Sequence, residues 1–295
     1  MKKDIYKKVT DSIIEQIEGG VLPWVQPWTS KGLTAGLPIN AISNNAYSGI
    51  NVLILWAYGI NNGYQSGKFL TFKQAKKLGG GVKKGEHGVK ISYADKFIPK
   101  KERKQAESEG RNPFAIPFLK AYTLFNIEQC ENLPDDLYES AVDLPDCEKI
   151  ESAEKIMADS GARIVIQGGK AFYMPSSDYI QLPPQPAFPV QSDYYCTAFH
   201  ELGHWTGHKS RLNRKSGTKK GDTGYAFEEL VAEITSAFIC ATLGIQPTVR
   251  HADYIASWLV VLKNDKRAIF KAASLATKAA KLLLDNDESA AKIAA

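Results

Sequence analysis

No two cysteines of this sequence stand in a C-x-x-C pair. Cys130, Cys147, Cys196 and Cys240 are widely separated, which disfavours a cysteine zinc knot or a redox motif. Long apolar runs are missing as well. The longest, residues 52–59, falls far short of the roughly 20 residues that span a bilayer, so no membrane partner is expected. Lysines near the N-terminus have no apolar stretch behind them, and no secretory signal is read there. The expectation is a cytoplasmic protein with four reduced thiols. No G-x-x-x-x-G-K-[ST] segment occurs, so no nucleotide-binding P-loop is read. Internal repeats and low-complexity tracts are also lacking.

What the chain does contain is a segmented charge pattern. Its 295 residues, 44% hydrophobic and 23% charged, describe a globular protein with room for two domains. Residues 1–120 carry 19 Lys/Arg against 9 Asp/Glu, whereas residues 121–160 carry 2 against 11. A basic first third meets a polyanion or is a solvated surface. The acidic stretch that follows, with Pro134 and Pro145, is the natural boundary. The fold class is therefore read as α+β in two domains: residues 1–127, an acidic linker 128–147, and residues 148–295.

In the first domain, Ile5, Val9, Ile13 and Ile17 recur at every fourth position before Gly19-Gly20. This predicts an amphipathic helix with a glycine stop. Trp24 and Trp28, pinned by Pro23 and Pro27, either cap a core or stack on unpaired bases, at roughly 1–3 kcal/mol per base. Residues 52–57 read as a buried helix capped by Asn51. A helix over 73–78, a glycine–lysine loop over 79–88 and a strand over 89–93 follow. Residues 96–111 are charged and mixed in sign, as in a mobile insert between two strands of one sheet, the second lying within 114–125. Glycines permit close backbone approach and lysines neutralise phosphates. The candidate nucleic-acid contacts are Trp24, Trp28, Tyr47, Asn51, Lys73, Lys76, Lys77, Lys83, Lys84 and Lys90. Basic residues interleaved with aromatics, and no dedicated major-groove helix, favour single strands over duplex.

The second domain opens with a helix over 148–159, then strands over 163–166, 171–174 and 178–183. The last of these ends in prolines, which places it at a sheet edge where an extended peptide can pair. Ser192 caps the next helix, which carries His200-Glu201-Leu202-Gly203-His204. Residues four apart share a helix face, so His200 and His204 reach one metal ion while Glu201 meets a water on it. A third ligand is required. His208 is one candidate, if Gly207 ends the helix and swings it back. The better one is Glu229 on the next helix, with Glu233 behind a ligand histidine. Glu228 has a bland reading in the first helical turn. A buried Glu pair on an apolar helix is costly without a cation. Zinc is the expected metal, with another divalent ion such as Mn2+ as the alternative. Glu201 is then the general base, and Tyr225 is a candidate extra donor to the oxyanion. The basic loop after His208 reads as an exposed loop or a second polyanion contact. Two further helices follow over 251–262 and 266–284, with a frayed tail over 285–295.

Several motifs in fixed order carry a resemblance. They are Asp4-Ile5-Tyr6 with Val9-Thr10, Pro23-Trp24-Val25 with Pro27-Trp28, Tyr47-x-Gly49-Ile50-Asn51, and Leu70-Thr71-Phe72-Lys73-Gln74-Ala75. In the second half they are residues 200–208, Arg211-Leu212-Asn213-Arg214, and Tyr225-Ala226-x-Glu228-Glu229-Leu230-Val231-Ala232-Glu233. Over nearly its whole length the chain resembles the ArdC-type antirestriction proteins of conjugative plasmids. That resemblance implies an N-terminal single-stranded-DNA-binding domain joined to a zincin-like metallopeptidase domain, and kinship with the N-terminal part of TraC-type primases. It also implies protection of incoming plasmid DNA in the recipient cell. In gluzincin-like families the ligand glutamate begins an E-x-x-x-[D/E] pair, which maps onto Glu229 and Glu233. Two readings stand: a single-strand-binding protein with a zinc peptidase acting on a protein or peptide of unknown identity, or a non-catalytic DNA-protection protein whose metal site is structural or vestigial.

Overall fold

The structure is a computed structural model that describes residues 5–25, 36–138, 146–214, 222–246 and 254–285. Helix α1 (Ile5–Glu18) turns Thr10, Ile13 and Ile17 inward, as its four-residue apolar spacing dictates. Its partners come from the far end of the sequence. The Thr10 hydroxyl donates to the Lys266 carbonyl at 2.8 Å. Trp24 is wholly buried and meets Trp258 edge to face at 5.6 Å.

Strand β1 (Ile39–Asn40) precedes helix α2 (Ile50–Asn61). The helix cap is Gly49 rather than Asn51. Asn51 lies inside the first turn, and its amide bridges a sheet edge: Nδ2 donates to the Ser92 carbonyl at 2.8 Å and Oδ1 accepts from the Ser92 N–H at 2.9 Å. Strand β2 (Lys68–Thr71) runs into helix α3 (Phe72–Lys77), which Thr71 and Gln74 close with a capping box. Strand β3 (Gly81–Val82) follows, then β4 (Val89–Phe97), helix α4 (Lys100–Ser108), β5 (Ile116–Asn126) and β6 (Cys130–Glu131). The main sheet has the order β1-β2-β5-β4, and β3 pairs with β6 apart from it.

The charged insert is indeed set between two strands of one sheet, but it forms α4 instead of a mobile loop. Two of its acids are satisfied locally, because Arg111 pairs with both Glu102 and Glu109 at 2.6 Å, and Ala106 is buried.

After helix α5 (Asp146–Asp159) come strands β7 (Arg163–Ile166), β8 (Phe172–Met174) and β9 (Tyr179–Leu182). Their order is β7-β9-β8. The proline-ended strand β9 is therefore central, not an edge. It pairs parallel with β7 and antiparallel with β8, and Ile180 and Leu182 are fully buried. The prolines begin after its last paired residue, so they interrupt no ladder. The open edges belong to β7 and β8.

Helix α6 (Gln191–Thr206) starts behind Val190, which puts Ser192 in the first turn and not at the cap. Helix α7 (Thr223–Thr242) is capped by Asp222 and buried along nearly its whole length. It packs between α6 and α9 (Ala268–Leu284), with α8 (Ile255–Asn264) alongside. One hydrophobic core runs from α1, Trp24 and α2 into α5–α9, and two smaller clusters lie in the first half, one around Leu70, Ala75 and Ile127 and one around Leu55, Phe69, Ile91 and Leu124. Among the described residues no helix is long and apolar enough to cross a membrane. Cys130, Cys196 and Cys240 are buried thiols.

Candidate metal centre and nucleic-acid contacts

Helices α6 and α7 meet backbone to backbone. A Cβ at Gly203 would stand 3.1 Å from the Ala232 Cα and 3.3 Å from its carbonyl oxygen. This close approach aims the histidine face of α6 at the glutamates of α7. One ligating atom each from His200, His204 and Glu229 falls within 4.8 Å of the others. The His200 Nε2 lies 3.4 Å from Glu229 Oε2, and the His204 Nε2 lies 3.5 Å from Glu229 Oε1. The two Nε2 atoms are 3.1 Å apart. Two ring nitrogens and a carboxylate thus converge on one point.

Each histidine is held from behind. Glu233 Oε2 sits 3.2 Å from the His200 Nδ1, and Glu228 Oε1 sits 3.6 Å from the His204 Nδ1. A carboxylate there claims the Nδ1 proton and leaves Nε2 to ligate. Glu228 is fixed in turn by Arg214, whose Nη2 is 2.5 Å from Glu228 Oε1. The same guanidinium donates to the Gly203 carbonyl at 2.6 Å and to the Thr206 hydroxyl at 2.7 Å. The Glu228 carboxylate therefore orients a ring; since α7 begins at Thr223, it lies beyond the first helical turn in which it was expected.

Four carboxylates (Glu201, Glu228, Glu229 and Glu233) are buried here beside two imidazoles, and one of them, Glu228, is paired with the buried guanidinium of Arg214. Such a surplus of buried negative charge is costly unless a cation offsets it. With two imidazole nitrogens and a carboxylate as donors, the residues fit a divalent ion. Burial disfavours the charged imidazoles, yet the glutamates override it, raising His200 to about 9 and His204 to about 10. Burial opposes charge on Glu229 as well, but the two rings hold its carboxyl well below the usual range. Glu201 is different, because burial raises it.

The Tyr173 backbone N–H, near Glu201, opposes that rise. The Tyr225 hydroxyl lies beside Glu229 and 3.2 Å from the Tyr254 hydroxyl. His208 does not join the cluster. Gly207 does end α6, but His208 then turns to the Ser210 hydroxyl at 2.8 Å and sits 3.9 Å from Asp178. Two arginines of the loop read as exposed are internal ties. Arg211 pairs with Asp178 at 2.5 Å and stacks over Trp205 at 3.7 Å, and Arg214 is the buried clamp on Glu228.

The nucleic-acid candidates divide. Trp24 offers no face to a base, because its ring is consumed in the core. Asn51 spends its amide on Ser92. Tyr47 is half-buried against two core clusters, and its hydroxyl accepts from the Asn40 amide at 3.3 Å. Trp28 lies outside the described residues. Lys73, Lys76, Lys77, Lys83, Lys84 and Lys90 are exposed, with Lys83 donating to the Glu128 carbonyl at 2.9 Å. Glu228 and Arg214 were the site residues that spacing did not single out. Their signal was an arginine in a loop following the H-E-x-x-H helix, and a third glutamate preceding Glu229.

Comparison with known proteins agrees with this geometry. Residues 3–125 match the N-terminal domain of anti-restriction factor ArdC, and residues 151–275 match a zincin-like metallopeptidase domain. The y4eC protein of Sinorhizobium fredii (strain NBRC 101917 / NGR234) is 38% identical over 280 residues, covering 94% of this chain and 90% of that protein. The DNA primase TraC of Escherichia coli is 37% identical over 293 residues, covering 94% of this chain but only 27% of the primase. The metal-free crystal structure of the antirestriction protein ArdC from plasmid R388 superposes with a TM-score of 0.80 at 40% identity, covering 98% of this chain and 99% of that one. The Mn(II)-bound structure of the same protein gives a TM-score of 0.79 at 40% identity, over 96% and 98% of the two chains. With both halves matched and the likeness extending end to end, the chain belongs to the ArdC family of antirestriction proteins.

Proposed function

We propose that this chain binds single-stranded DNA without strong sequence preference, shields incoming plasmid DNA in the cytoplasm of the recipient cell during conjugation, and carries a zinc-dependent, gluzincin-like peptidase site. The observation that carries the peptidase reading is the convergence of His200, His204 and Glu229 within 4.8 Å beside the buried carboxyl of Glu201. A divalent ion held by these three supplies Lewis acidity and lowers the pKa of a water. Glu201 takes the proton of the attacking water and returns it to the leaving nitrogen, a role suited to a carboxyl whose pKa burial has raised. Glu233 and Glu228 keep the two imidazoles oriented. The Tyr225 hydroxyl, beside Glu229, is the donor available to a developing oxyanion. An extended peptide pairs with the open edge of β8, the strand that carries Tyr173 near Glu201.

The basic first 120 residues support the DNA half of the reading. Glu201→Gln separates the two halves. The variant keeps its metal and its affinity for single-stranded DNA, and loses all cleavage of any substrate the wild type cuts. Retained cleavage refutes the general-base assignment. Full protection of plasmid DNA by this variant in a mating assay makes peptidase chemistry dispensable for shielding.

A further inference from the structure

Strands β4 and β5 run out past the helix that covers them. At their base Ile91 and Leu124 are buried with Leu55 of α2 and Phe69. Residues directly opposite in an antiparallel pair share a face. Ile91 stands opposite Tyr122, Tyr93 opposite Lys120, and Phe97 opposite Ile116, so the buried face continues outward along the ribbon. There the cover ends: Tyr93 is 46% exposed, Phe97 56%, Tyr122 42% and Ile116 48%. Phe114, just before β5, is 70% exposed. The Tyr93 and Tyr122 rings meet edge to face at 6.0 Å. Four residues of strand put Tyr93 and Phe97 roughly 13 Å apart, leaving each ring accessible. A run of exposed rings on one face marks an interaction site.

The charge around it names the partner. Residues 89–125 hold eight Lys/Arg and four Asp/Glu. Two of those acids, Glu102 and Glu109, are paired to Arg111. On α4, Lys100, Lys101, Arg103 and Lys104 are exposed, and Lys120 is exposed between the tyrosines and Phe97. A second copy of the chain would bring a like-charged surface to this face, whereas an unpaired polynucleotide brings bases for the rings and phosphates for the cations. Duplex DNA keeps its bases stacked and gives the rings nothing to hold.

We propose that the outer face of the β4–β5 ribbon, with Tyr93, Phe97 and Tyr122 as stacking surfaces and Lys120 and the α4 cations beside the backbone, is a single-stranded-DNA site. This rests on the DNA-binding reading above but relocates its contacts away from Trp24 and Asn51. The test uses the full chain and a fluorescent oligo-dT, with a duplex of equal length as control. Tyr93→Ala, Phe97→Ala and Tyr122→Ala each weaken oligo-dT binding roughly tenfold, and the triple variant loses more, with an unchanged melting temperature. The salt slope stays as in wild type for these three and falls by about 0.7 for Lys120→Gln. Wild-type affinity in the triple variant overturns the ribbon site while leaving the DNA-binding reading standing. Absence of oligo-dT binding by the wild type overturns that reading and the site with it. A triple variant that changes sedimentation but not affinity makes this face a self-association surface, which also overturns the proposal.

Discussion

The Arg214 guanidinium reaches Glu228 with two nitrogens, Nη2 at 2.5 Å from Oε1 and Nε at 3.1 Å from Oε2, and Glu228 faces His204. A loop arginine thereby acts on a metal ligand through one intermediary. Removing it in Arg214→Ala takes from a buried carboxylate the nearer of its two cationic partners, a loss toward the lower end of the about 3–5 kcal/mol that breaking a buried pair costs. Glu228→Gln keeps the shape and removes the charge that claims the His204 Nδ1 proton, so metal affinity drops about 10- to 100-fold. Thermal melting of the metal-free protein and metal titration separate these effects. An Arg214→Ala variant as stable as wild type refutes the clamp.

The titration of the centre sets a pH dependence. His200 and His204 are raised to about 9 and about 10, above the ordinary imidazole value of about 6.5. Their contribution to stability of the metal-free protein is fully present below about pH 6.5 and is lost as pH rises through 9 and 10. Glu229 is depressed, so its contribution is present above about pH 4.3 and is lost as pH falls below that. Metal needs neutral rings and must displace their protons. The increase in melting temperature on adding Mn2+ or Zn2+ therefore grows from pH 6 to pH 9. An increase independent of pH in that range contradicts the ligand assignment.

Gly203 sits where α6 and α7 touch, and its Cβ would meet Ala232 backbone at 3.1 Å. In an exposed helix Gly→Ala gains about 1 kcal/mol of propensity. Here the neighbour is main chain and cannot step aside, so the helices must separate at a cost of about 1–3 kcal/mol. The steric term wins. Gly203→Ala is less stable than wild type and binds metal more weakly, because His200 and His204 ride on the displaced helix. A stabilised variant with unchanged metal affinity, seen by calorimetry, rules this out.

Much of the centre was legible in the chain because one helical turn encodes it. His200, Glu201 and His204 need only the four-residue repeat, and Glu229 and Glu233 repeat it on the next helix. Glu228 and Arg214 were not legible: a helix begun at Tyr225 puts Glu228 in a first turn, where a glutamate has an ordinary helix-dipole role, whereas the helix begins at Thr223; loop arginines are ordinarily solvated. Contacts distant in sequence were hidden for the same reason. Nothing local says that Trp24 meets Trp258, or that β9 lies between β7 and β8, because strand order depends on pairing and not on composition. Asn51 misled because a good capping residue two positions past Gly49 serves equally well to tie a helix to a strand.

Trp24 makes the last distinction, between a ring that binds DNA and one that holds the core. Its side chain is fully buried, and its edge-to-face contact with Trp258 joins the segment after α1 to α8. Truncation in Trp24→Ala leaves a large cavity and costs about 3–5 kcal/mol. Among the described residues neither indole N–H of this pair has a hydrogen-bond partner, so Trp24→Phe surrenders volume but no hydrogen bond and costs clearly less. Since the ring never meets solvent, Trp24→Phe binds oligo-dT as the wild type does. Denaturant unfolding and anisotropy on the two variants decide the matter. Loss of DNA affinity in a Trp24→Phe protein of wild-type stability returns Trp24 to the interface.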